Sequence, residues 1–162
     1  MKCVKIAAAI ALCLVMGQAF AQTCASPVVL TAAGVSNVDT CGAANPLSVV
    51  CGLNANPSPD VIVSFTLGAG FTATTLSLTT TTGTFTPQMI LQQACASPDD
   101  CTDTANAAAA GGPASITLTG KPAGAYFLVV DGSSQASATD CGVFSLSVNG
   151  TLPVQLQKFS VD

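Results

Sequence analysis

The sequence predicts an all-β protein: an antiparallel sandwich of about seven or eight short strands, closed by disulfides. Three observations carry that expectation. Apolar and polar residues alternate with a period of two in several short runs, which is the pattern of a strand with one buried face. Clusters of glycine, proline, asparagine and aspartate break those runs at roughly ten-residue spacing, as in sandwiches. Six cysteines follow an N-terminal segment laid out as an export leader, and an even number in that context reads as paired.

The elements follow in chain order. Met1–Lys5 holds two lysines, residues 6–16 are an apolar run of 11, and Gly17-Gln18-Ala19-Phe20-Ala21 offers a small-x-small cleavage site. The run is shorter than the ~20 residues a spanning helix needs, so residues 1–21 are expected to be a cleaved signal peptide. One domain over 22–150 and a tail over 151–162 remain, and no later run approaches membrane-spanning length. Val28–Thr31 predicts a short first strand. In Asp60–Leu67, Val61, Val63, Phe65 and Leu67 share one face and Ser64 and Thr66 the other. Phe71–Thr80 carries Leu76 and Leu78 on one face, and the threonines at 79–82 read as the exposed end of that strand and its turn. Thr84–Leu91 predicts a strand whose Pro87 suggests an edge or a bulge. Ser115–Thr119 alternates. Ala125–Val130 is apolar on both faces, as a central strand would be. Val143–Val148 sets Phe144, Leu146 and Val148 on one side, and Val154–Phe159 is a candidate last strand. Residues 105–112 read as a loop.

Composition excludes much. All four basic residues are lysines and all eight acidic residues are aspartates, and His, Arg, Glu and Trp are absent. No His-based triad, HExxH site or Cys/His zinc finger can form. Without residues 1–21 the chain keeps two lysines against eight aspartates, a formal charge of −6. Nucleic acid and anionic membranes are therefore not expected partners.

Three segments together resemble bacterial pre-peptidase C-terminal (PPC-like) domains. Asp60-Val61-Ile62-Val63-Ser64-Phe65 is similar to the family's D-x-x-Y-x-F strand. Ala123–Gly132 is similar to its A-G-x-Y-x-x-V-x-G strand, and Cys141–Val148 to its closing G-x-Y-x-L-x-V strand. The resemblance covers about residues 24–150. Val63 and Phe144 depart from it, standing where the family usually has tyrosines. The resemblance implies a jelly-roll-like sandwich that is non-catalytic and accompanies secreted hydrolases and surface proteins. Residues 152–162 also look like the LPVEL-x-x-F segment that precedes sorting tails in many exported bacterial proteins.

Candidate site residues are few. Asp60, Asp99, Asp100, Asp103, Asp131 and Asp140 are the carboxylates a glycosidase would draw on, but all lie beside turn-forming residues. A nucleophilic Ser or Thr would have only Lys121 or Lys158 as base, so a secreted hydrolase is the least favoured reading. No other cofactor is expected, but calcium is a candidate: Asp99, Asp100 and Asp103 cluster in one loop, with Asp131 and Asp140 as further oxygen ligands. Cys95 and Cys101 flank only five residues and predict a local bridge. Cys24, Cys41, Cys51 and Cys141 then allow three pairings, among them Cys24–Cys41 with Cys51–Cys141 and, equally arguable, Cys41–Cys51 with Cys24–Cys141. The expected role is an accessory or binding module outside the cell, with a surface polymer or protein as partner. The rival is a self-assembling surface subunit, its tail adding a strand to a neighbour through Val154, Leu156 and Phe159.

Overall fold

A computed structural model of the chain describes residues 23–45, 49–51, 53–54, 57–95, 97, 99–133 and 139–152. The expected signal peptide and the candidate strand at 154–159 lie outside the described residues. Eleven strands are described: β1 (Val28–Val29), β2 (Val35–Asp39), β3 (Val49–Val50), β4 (Leu53–Asn54), β5 (Val61–Leu67), β6 (Thr75–Thr80), β7 (Pro87–Gln92), β8 (Asp103–Asn106), β9 (Ala114–Thr117), β10 (Gly124–Gly132) and β11 (Val143–Asn149). There is no helix among the described residues.

The strands form a five-stranded sheet, β1-β5-β10-β7-β8, a four-stranded sheet, β2-β11-β6-β9, and the β3–β4 hairpin. All pairs are antiparallel except β1 with β5. Alternation explains how the two larger sheets meet. Val61, Val63, Phe65 and Leu67 of β5, Met89 and Leu91 of β7, and Tyr126, Leu128 and Val130 of β10 point to one side of the first sheet. There they join Leu76, Leu78, Ile116, Phe144 and Leu146 of the second sheet in a single core. Burial of that apolar area drives the packing. Tyr126 and Phe65, opposite each other on paired strands, stack with ring centroids 5.7 Å apart. The three segments that resemble PPC-like domains lie on β5 and β10, neighbours in the five-stranded sheet, and on β11, inside the other sheet.

β7 departs from expectation. It lies between β10 and β8, not at an edge, and Pro87 is its buried first residue. Proline is tolerated there because its carbonyl still accepts, from Ala107 N–H at 2.9 Å, while its missing N–H falls at the strand's end. β2 carries a register shift between its contacts with Phe144 and Leu146, where Asn37 takes φ +56°.

The cysteines pair across the fold: Cys24–Cys95, Cys41–Cys141 and Cys51–Cys101. The expected Cys95–Cys101 bridge is therefore incorrect, as are both pairings expected for the other four. The β7–β8 turn is braced without a bridge of its own, because an Asp100 carboxylate oxygen accepts from the backbone N–H groups of Gln93 and Ala94. Its two cysteines are left to tie down distant segments. Beside Cys41–Cys141, buried Thr40 and Gly142 exchange backbone and hydroxyl hydrogen bonds at 2.9–3.3 Å, which fixes this crossing between β2 and β11.

Candidate functional site

The two sheets present unequal outer faces. That of the five-stranded sheet is closed over its middle, while Thr104 and Asn106 of β8 and Ala125 of β10 stay exposed on it. Ile90 and Val129 are buried there with Cys51 packed against them, so the Cys51–Cys101 bridge holds the β3–β4 hairpin on this side. Polar residues are buried on the same side: Asp60, Gln88, Gln92 and Asp131 are each at most 8% exposed. Extending the β5–β10 register by one pair beyond Val61–Val130 sets Asp60 beside Asp131.

The outer face of the four-stranded sheet is open. Leu76, Leu78, Ile116, Phe144 and Leu146 turn into the core, so the alternate residues face outward. Register aligns those residues in rows. Thr117, Thr75 and Asn149 form the first row, Ser115, Ser77 and Ser147 the second, and Thr79 and Ser145 a third. All are exposed or half-buried. Ser145 Oγ accepts from Asn37 N–H at 3.3 Å. No hydrogen bond among the described residues takes up the hydroxyls of Thr75, Ser77, Ser115, Thr117 or Ser147.

The five aspartates considered for calcium do not converge. Asp99 is exposed. Asp100 braces the β7–β8 turn. Asp103 accepts from Thr104 N–H at 2.9 Å and from Lys121 Nζ at 3.0 Å. Asp140 accepts from Thr86 N–H at 3.0 Å through one oxygen and from Ser133 N–H at 3.2 Å through the other. Asp131 is buried in β10. Among the described residues no three or more Asp or Cys side chains are grouped to hold a metal ion. Nearness in sequence misled because these short side chains turn to local backbone N–H groups. Lys121, one of the two lysines available as a base, is taken up by the same ion pair, with its side chain 14% exposed.

The other notable polar group is Tyr126. Its hydroxyl donates to Pro122 O at 2.8 Å and accepts from Gln93 Nε2 at 3.3 Å. Burial raises its pKa above 10.0, and the Gln93 hydrogen bond offsets part of that rise. Sequence reasoning did not find the open hydroxyl face, because it depends on the register of three strands. The abundance of Thr and Ser was its one visible sign.

No family model matches the chain, and no curated protein and no solved structure matches it either. The class is set by the architecture: an all-β, two-sheet sandwich with three disulfides, which point to an oxidising, extracellular or periplasmic environment. No helix among the described residues is long and apolar enough to cross a membrane.

Proposed function

We propose that the protein is a non-catalytic, PPC-like module exported by a bacterium, which works outside the cell or at its surface by binding. The observation that carries this reading is the use of its polar groups. Asp100, Asp103, Asp140 and Lys121 are spent on bracing turns and strand ends, while the Thr, Ser and Asn side chains left available form rows without charge on the outer face of the four-stranded sheet. Three bridges spanning 71, 100 and 50 residues suit a chain that must persist where no chaperone acts. The jelly-roll-like topology and the export signal belong to the same reading.

The test is the solution mass of the oxidised chain by size-exclusion chromatography with light scattering, beside a version ending at Leu152. Leu152 is 6% exposed and belongs to the core, so the shorter chain is cut after it. Monomers in both cases support a binding module. Oligomers or filaments formed only by the full chain overturn it in favour of an assembly subunit joined through residues 153–162.

A further inference from the structure

We propose that the open face of the four-stranded sheet docks onto the surface of an uncharged, ordered polysaccharide. This names the partner of the module proposed above and rests on that reading. The rows Thr117–Thr75–Asn149 and Ser115–Ser77–Ser147 repeat along the sheet, with columns about 4.8 Å apart and rows about 6.8 Å apart, two residues of strand rise. Every side chain in these rows ends in a hydroxyl or an amide. Such groups both donate and accept, as the hydroxyls of a glycan do.

Charge selects among partners. The rows carry no ionisable group. Asp60, Asp99, Asp100, Asp103 and Asp131 lie with the five-stranded sheet, Asp140 is buried against Thr86 and Ser133 N–H, and Asp39, opposite Val143, is the one exposed carboxylate among the described residues on this side of the four-stranded sheet, beyond the end of the rows. A polyanion would find no cation on this face and a net charge of −4 on the chain. A polycation would find no carboxylate in the rows. A neutral polymer meets neither penalty.

Shape and area select further. Small soluble ligands take concave sites with apolar linings, whereas this face is the outside of a sheet. A protein partner needs an apolar anchor, but the one large apolar side chain exposed among the described residues is Val29, in the other sheet. Two rows of three and one of two at these spacings cover about 260 Å², against about 800 Å² per partner in a stable protein pair. An extended polymer surface presents the same lattice at many equivalent positions. The β-branched threonines, fixed on a packed sheet, have little rotamer freedom to lose there.

The experiment is a binding isotherm of the oxidised full chain on microcrystalline cellulose and on chitin, at low salt and in 1 M NaCl (ionic strength where the screening length is about 3 Å). The chain is compared with S77D/S147D, with T117D at the sheet edge, and with T104D, an exposed site on β8. Circular dichroism melts establish that each variant is folded. The expected result is salt-insensitive retention of the native chain on at least one polymer. Retention should fall at least tenfold in S77D/S147D and in T117D and be unchanged in T104D. The proposal is overturned if neither polymer retains the native chain above an inert neutral bead, if the face variants bind like the native chain, or if the face mediates dimers that these variants abolish. Retention that ignores the face variants sinks this face and leaves the binding-module reading standing. Polymers driven by the tail sink that reading itself.

Discussion

Tyr126 is the chain's single tyrosine, and there is no tryptophan, so its titration can be read without interference. Its ring is fully buried against Phe65, and its hydroxyl makes the two hydrogen bonds to Pro122 O and from Gln93 Nε2. Tyr126→Phe keeps the ring and removes both bonds. A neutral hydrogen bond contributes about 1 kcal/mol net. Gln93 and Pro122 are exposed residues, so their polar groups can turn to water. The expected cost is therefore about 1–2 kcal/mol, or roughly 3–8 °C in Tm for a domain of this size. The pH dependence follows from the raised pKa. Folding favours the neutral phenol, so this stability is fully present below pH 10, the unfolded value, and is lost as pH rises through the folded value. Ultraviolet absorbance of the phenolate in the native chain, with denaturant melts of both proteins from pH 8 upward, measures both effects. The native chain should lose its margin over Tyr126→Phe above about pH 10. The reasoning is refuted if Tyr126 ionises at its ordinary value while the chain is still folded, or if the margin between the two proteins does not change with pH.

Three further outcomes are expected. Replacing Cys51 and Cys101 together by serine opens a bridge spanning 50 residues; chain entropy sets an upper value of about 4 kcal/mol, and a denaturant melt should show a loss of about 2–4 kcal/mol. Asp140→Asn removes one of the two carboxylate oxygens that hold Thr86 N–H and Ser133 N–H, and thermal melts should show a loss of about 1–3 kcal/mol. Gly34 has φ +85°, and a Cβ there would sit 2.5 Å from Leu146 O; Gly34→Ala should cost about 2 kcal/mol or more, seen as a lower denaturation midpoint with an unchanged m-value.

The sandwich was legible where alternation was clean. β5, β9, β10 and β11 follow their apolar periodicity to within a residue or two, and β6 ends at Thr80 inside the threonine run read as a strand end. β2, β8 and the β3–β4 hairpin were not legible. β8, Asp-Thr-Ala-Asn, offers the core only Ala105, too little for a legible alternation, and is a strand because it pairs with β7. β2 is interrupted by its register shift. Disulfide partners were hidden for a related reason: spacing reports only local loops, whereas Cys95 and Cys101 sit in a turn already braced by Asp100. The candidate site failed in the same way. Asp99, Asp100 and Asp103 are neighbours in sequence, but Asp99 is exposed, Asp100 turns to the N–H groups of Gln93 and Ala94, and Asp103 turns to Thr104 N–H and Lys121. The hydroxyl rows combine residues from β6, β9 and β11 that only register brings together.

The claim on which all of this stands is that the chain leaves the reducing cytoplasm and is stapled by three disulfides between segments distant in sequence. Non-reducing peptide mapping of the chain recovered from outside the producing cell, with its N-terminus sequenced, tests that claim most directly. The account predicts a chain beginning at Gln22 with Cys24–Cys95, Cys41–Cys141 and Cys51–Cys101 linked. Free thiols, a Cys95–Cys101 peptide, or a chain retained in the cytoplasm with residues 1–21 intact would contradict it.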